Sequence, residues 1–250
     1  MGILIALLGV LFILCVCDVR MRLTYYLGPR NRFAVMSQMQ NWGLRVIVAV
    51  AKSYAGFRVL RQSRFRAALP QRFLIVSNHQ SLVDIAVLSY AFPRHTVRFV
   101  AKKELGRGVP GISFMLRNGR HALIDRHGGF RETQAELIRL ARFSRNEPIC
   151  PIVFPEGTRA RDGRVKKFHA AAVRTILARN ALPTVSVAVN GGYRIARLMN
   201  LLRNLRGCVY RVRLLSLYPP PVKRGDVQVM LRQAHDEIER QVNEWKKSER

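Results

Sequence analysis

Four short runs constrain this chain more than anything else in it: Phe73–Val76, Val97–Ala101, Ile149–Phe154 and Leu182–Val189. Each is too short for a buried helix, is rich in apolar and β-branched residues, and ends at polar or turn-forming residues. Such runs read as strands covered on both faces. Between them lie segments with apolar residues at helical spacing: Val83–Tyr90, Phe130–Asn146 and Phe168–Ala178. Strands alternating with helices predict an α/β domain, with a mostly parallel sheet flanked by helices. Val209–Leu217 adds a late strand, with Arg211 and Arg213 expected on its wet face. After the Tyr218–Pro221 break, Asp226 is expected to cap a last helix carrying Val227, Met230, Leu231, Ala234, Ile238, Val242 and Trp245 on one side.

The amino-terminal quarter follows a different pattern. Met1–Cys17 carries no charge and is rich in Leu and Ile. It lacks the basic start and the small-residue cleavage site of a secretory signal. Three readings fit it: an uncleaved membrane-spanning anchor, a helix lying in one leaflet, and a buried core helix. Val19–Val83 then contains no acid but eleven Arg and Lys residues. If the first segment is a membrane anchor, this basic stretch puts the body of the protein on the cytoplasmic side, at the inner membrane in a bacterium. Trp42–Leu60 reads as a basic amphipathic helix, lying either on lipid headgroups or against the domain. The expected organisation is an N-terminal membrane-anchoring helical region over residues 1–66 and an α/β domain over 67–250.

Chemistry concentrates where the first strand ends. Ser77-Asn78-His79-Gln80-Ser81 is a polar turn, and Asp84 falls in the first turn of the following helix. The carboxyl ends of strands in an open α/β sheet are where such folds bind ligands. Histidine is suited to moving a proton near neutral pH, and a carboxylate five residues on can hold its far ring nitrogen. No serine or cysteine sits in a recognisable nucleophile elbow. Direct attack by a substrate hydroxyl, with His79 as base, is therefore more economical than a covalent intermediate. At the end of a second strand stands Phe154-Pro155-Glu156-Gly157-Thr158-Arg159. Arg159 offers a forked donor set suited to phosphate, Gly157 lets backbone approach an anion, and Arg126 is a second candidate. Gly106-x-Gly108-x-x-Gly111 matches a dinucleotide fingerprint only formally. Lys102–Leu105 separate it from its strand, and Pro110 stands where a helix should open, so it reads as a turn.

These blocks, in this order over about residues 70–195, resemble the glycerolipid acyltransferases, the 1-acyl-glycerol-3-phosphate acyltransferases and their relatives. The first block matches at Asn78, His79, Ser81 and Asp84, the second at Arg126, and the third throughout Phe154–Arg159. The resemblance implies transfer of a fatty acyl group from acyl-CoA or acyl-carrier protein to the free hydroxyl of lysophosphatidic acid. It implies His79 as base and Asp84 as its partner. Asn78, Ser81, Arg126, Glu156, Gly157, Thr158 and Arg159 would serve substrate binding. It implies no metal or organic cofactor, and relatives carry an amino-terminal helical membrane-binding motif. Ala122 in the lead-in to the second block, Ser186 in place of a second proline in the fourth, and Phe168-His169-Ala170-Ala171 after the third depart from the pattern. They bear on the acceptor and the acyl chain rather than on the reaction class.

The net charge of +28 calls for a polyanionic partner. Anionic membrane lipid fits. Nucleic acid is not expected, because no stripe of aromatics interleaves with the basic residues. Two other readings stay open at this point: an acyltransferase for another lysolipid, and a non-catalytic basic protein binding anionic lipid or nucleic acid. Cys150 and Cys208 are expected as buried, reduced thiols, and the four cysteines show no metal-ligand spacing.

Overall fold

A computed structural model of the chain describes residues 2–28, 30, 32–65, 68–125, 129–197, 203–223 and 225–249, with the side chains of 2–7, 54 and 55 left aside. The strands are β1 (Arg58–Ser63), β2 (Leu74–Ser77), β3 (Thr96–Lys102), β4 (Ala122–Ile124), β5 (Ile149–Val153), β6 (Thr184–Asn190) and β7 (Val209–Tyr218). The helices are α1 (Gly2–Leu27), α2 (Arg32–Ala55), α3 (Val83–Ala91), α4 (Ile112–Asn118), α5 (Phe130–Asn146), α6 (Ala171–Arg179) and α7 (Asp226–Lys247).

The strands form one sheet in the order β1-β7-β6-β2-β5-β3-β4, parallel except where β6 meets β7. The strands β2, β5 and β6 are buried at every position. Leu74, Val76 and Val153 face a core built with α5, α6 and α7, while Phe73, Ile75 and Ile152 face a second core with α3. This two-sided burial is why these runs lack the alternation of a half-wet strand. Asp226 opens α7 at its first residue, and its carboxylate accepts the backbone N–H groups of Val222 and Lys223. It thus ties the preceding turn instead of serving as the N-cap, which is Gly225. Arg211 and Arg213 are half-buried under α7, paired with Glu249 and hydrogen-bonded to Gln241 respectively. Cys150 and Cys208 are buried free thiols, as expected, and burial raises Cys150 to about 12.

Two departures from the sequence reading concern the amino-terminal region. The amphipathic helix ends at Ala55, and Arg58–Ser63, within the stretch 1–66, pairs with β7 as an edge strand. The apolar first segment continues past Asp18 as one helix to Leu27. Asp18 helps it do so, pairing with Arg22 one turn on (2.7 Å) and accepting the Gly111 N–H (3.0 Å). Gly111, at φ +70°, lies so close to the Leu14 carbonyl that a Cβ would come within 2.7 Å of its oxygen, so the glycine-rich turn is a seat for α1. One side of α1 packs through Cys17 and Met21 on Met36, Met39 and Phe114. The other side exposes Leu8, Phe12, Val16, Val19, Leu23 and Leu27. Among the described residues no helix is long and apolar enough to cross a membrane.

Candidate active site

The sheet register brings two turns together. Val76 of β2 pairs with Val153 of β5, so His79 and Glu156 each lie three residues beyond a matched pair at neighbouring strand ends. The His79 N–H donates to Glu156 Oε1 (3.1 Å), and its carbonyl accepts the Ala160 N–H (2.7 Å). The Phe154 ring stacks on the His79 imidazole at 4.1 Å between centroids and 16° between planes. The residue before the glutamate turn thus fixes one face of the ring.

Asp84 is fully buried and collects four donors. Its Oδ2 meets His79 Nδ1 at 2.6 Å and the N–H groups of Gln80 (2.6 Å) and Ser81 (3.0 Å). Its Oδ1 accepts the hydroxyl of Tyr210, from β7. An ionised carboxylate only accepts, so Nδ1 donates and Nε2 is left to take a proton. The imidazole is 13% exposed, enough to meet a substrate while its partner stays dry. Tyr210 was not foreseen: nothing in sequence links it to a residue 126 positions earlier. Gly192 was missed for the same reason. A Cβ there would overlap the Tyr210 hydroxyl and lie 3.0 Å from Asp84 Oδ1.

The remaining expected residues divide into two groups. Asn78 and Ser81 are buried, and their recorded side-chain bonds are to the protein's own backbone. Asn78 bridges to β6 by a pair of 2.9 Å bonds with the Val189 N–H and carbonyl. Ser81 Oγ accepts the Val83 N–H at the start of α3 and donates to the Ile195 carbonyl (3.4 Å). Gly157 and Thr158 are exposed and Arg159 is half-buried, all on the turn after β5. Gly157 adopts φ +67°, which favours glycine. Lys166, also unforeseen, reaches Thr158 Oγ1 (3.3 Å) and the Arg159 carbonyl (3.2 Å) and ties this turn to the next loop. Arg126 lies outside the described residues.

Glu156 is only 4% exposed, and its Oε2 is buried with no hydrogen-bond partner. Burial pushes its pKa up to about 8, against the opposing pull of the His79 and Lys166 backbone N–H groups and of the Lys166 charge. Burial thus favours its neutral form, and through Oε1 Glu156 ties the two turns together. Among the described residues no group of His, Cys, Asp or Glu is arranged to hold a metal ion.

Known proteins resemble this chain in sequence and in fold. Residues 56–190 match the sequence profile of the acyltransferase family. A 1-acyl-sn-glycerol-3-phosphate acyltransferase of Cocos nucifera is 30% identical over 120 residues, 48% of this chain and 38% of that protein. One from Limnanthes douglasii is 30% identical over 159 residues, covering 62% and 52%, and one from Helicobacter pylori is 37% identical over 92 residues, 36% of each. The chain thus spans about a third to a half of the length of these relatives. The crystal structure of the 1-acyl-sn-glycerophosphate acyltransferase PlsC from Thermotoga maritima shares the fold, with a TM-score of 0.61 over 92% of this chain and 97% of that one, at 19% identity. With over half of its length matched and the His79–Asp84 pair set in that fold, the chain belongs to the acyltransferase family.

Proposed function

We propose that this protein transfers a fatty acyl group from acyl-CoA or acyl-carrier protein to the free hydroxyl of lysophosphatidic acid, giving phosphatidic acid. The observation that carries the reading is the 2.6 Å contact of His79 Nδ1 with a buried, four-fold hydrogen-bonded Asp84. His79 Nε2 takes the proton as the hydroxyl oxygen attacks the thioester carbonyl. Asp84 stabilises the imidazolium that forms. The tetrahedral adduct collapses with loss of the thiolate, which takes the proton back from His79. Asn78, Ser81 and Tyr210 position the base. On this reading Thr158, Arg159 and the Gly157 backbone bind the acceptor, with Arg126 as a second arginine. The named activities of the relatives support lysophosphatidic acid as that acceptor.

The exposed apolar side of α1 supports attachment to one leaflet, where a helix flat on the domain inserts without spanning. The +28 charge supports an anionic, cytoplasmic-facing surface.

The acceptor is tested by initial rates of thiol release against acceptor concentration, with lysophosphatidic acid and lysophosphatidylcholine. The wild type should prefer the monoester. Arg159→Ala should raise KM for lysophosphatidic acid by about 10–150-fold, the worth of one charge-assisted hydrogen bond. Arg159→Lys should rescue poorly, because the fork is lost. Equal use of both acceptors, impaired alike by Arg159→Ala, would reject the phosphate-monoester acceptor.

A further inference from the structure

A buried arginine lies at the opposite edge of the sheet from His79. Thr96 and Ile149 pair as the first residues of β3 and β5, so the edge they define is the one away from the catalytic turns. A crevice of about 390 Å³ opens there between α2 and the strand starts, lined among others by Ser37, Asn41, Thr96, Arg98 and Glu147. Arg98 is 2% exposed, yet among the described residues no carboxylate lies within ion-pair distance of it. Its guanidinium is held by neutral acceptors. Nη1 donates to Gln40 Oε1 and the Val97 carbonyl (both 2.9 Å), and Nη2 donates to Ser37 Oγ (2.5 Å). Three of the group's five N–H donors are thereby used. One Nη2–H and the Nε–H remain, and Nε is buried with no partner. Nε and Nη2 share one edge of the planar group, the edge that grips two oxygens of an oxyanion.

The surroundings favour an anion as well. Arg120 sits over the Phe33 ring at 3.5 Å from its centre and pairs with Glu147, the one carboxylate lining the crevice among the described residues. The charges of Arg120 on Arg98 and of Arg32 on Arg120 are both felt. Burial, and secondarily Arg120, pull the Arg98 guanidinium down to about 9. A dry cation fixed only by neutral groups is costly unless an anion joins it.

We propose that the crevice between α2 and the starts of β3 and β5 binds a phosphate group through Arg98, at a site separate from the catalytic one. Because α2 packs on α1, whose outer side is apolar, the phosphate can come from a lipid headgroup or from free phosphate. Either would lock the amino-terminal hairpin to the sheet.

The test is thermal unfolding of the full chain in a non-ionic detergent, titrated with inorganic phosphate at constant ionic strength and, separately, with dihexanoyl-phosphatidylglycerol below its micellar concentration. A saturable rise in Tm is expected with at least one probe, and the probe that acts identifies the source. Arg98→Gln should weaken that response at least about 10-fold. Ser37→Asp covers the case in which Arg98→Gln does not fold. It places a carboxylate where Ser37 Oγ now meets Nη2, so it should raise the Tm of the anion-free protein and abolish the response. No saturable shift with either probe would overturn the site, as would the same shift in wild type and Ser37→Asp. Because the readout is unfolding rather than acyl transfer, the result does not depend on the acceptor assignment.

Discussion

Replacing Glu156 by Gln asks whether the buried carboxyl is neutral in the working protein. The side chain is 4% exposed, Oε1 accepts the His79 N–H at 3.1 Å, and Oε2 has no partner. In the unfolded chain the group loses its proton near pH 4.5, and in the fold it keeps it up to about 8. Between those values the folded state holds the extra proton, so stability is lost as pH rises through the window. At about 1.4 kcal/mol per pH unit the loss has a ceiling of about 5 kcal/mol, and relaxation around the ion brings the expectation to about 2–3 kcal/mol. Glutamine has nearly the shape of the neutral acid and does not ionise. Thermal unfolding of wild type and Glu156→Gln should therefore coincide near pH 5. At pH 8.5 the variant should melt higher by about 4–12 °C, at about 2–4 °C per kcal/mol for a chain of this size. Acyl transfer by Glu156→Gln should stay within about tenfold of wild type, whereas Glu156→Asp withdraws the carboxyl from the His79 N–H and should lose more. Unfolding curves that stay parallel from pH 5 to 8.5, or a glutamine variant as inactive as one lacking His79, would refute the neutral positioning role.

Three further outcomes follow from the same geometry. Tyr210→Phe leaves Asp84 with its three Oδ2 donors but without one on Oδ1; it should cost about 1.5–3 kcal/mol in denaturant unfolding and lower kcat by less than about tenfold, since the bond exists before and during the reaction. Gly192→Ala pushes a methyl into the Tyr210 hydroxyl and Asp84, and should lower kcat more than Tyr210→Phe with KM little changed. Replacing Leu8, Phe12 and Val16 by Gln should abolish flotation with zwitterionic vesicles while leaving binding to anionic vesicles that fades as salt rises; salt-resistant residual binding would point to a second insertion.

The parts of the fold legible in sequence are those whose signal is local. The β2 turn carries strand, base and carboxylate within a dozen residues, so spacing together with the ordered blocks that follow it could pair His79 and Asp84. The uninterrupted apolar runs reported a two-sided sheet because burial on both faces leaves no alternation to misread. The edge strand β1, Arg-Val-Leu-Arg-Gln-Ser, is almost wholly exposed and has no strand signature of its own. Only pairing with β7 defines it. Tyr210 and Gly192 reach Asp84 where β6 and β7 pair antiparallel, a tertiary arrangement invisible to any short window. The extent of α1 was hidden by Asp18, Arg20 and Arg22, which read as the end of an apolar segment. In the fold, Asp18 is neutralised within the helix by Arg22 and by the Gly111 backbone.

The central claim is that His79, oriented by Asp84, is the base in acyl transfer. Its most direct test is the single-turnover rate of His79→Ala in detergent, with saturating acyl-CoA and lysophosphatidic acid, beside a wild type of matched unfolding behaviour. Loss of a general base predicts a fall of about 10²–10⁴-fold, with the unfolding midpoint little changed because the side chain contributes chemistry rather than core packing. A variant that is folded and retains more than about a tenth of the wild-type rate would contradict the account, since no positioned base is worth so little.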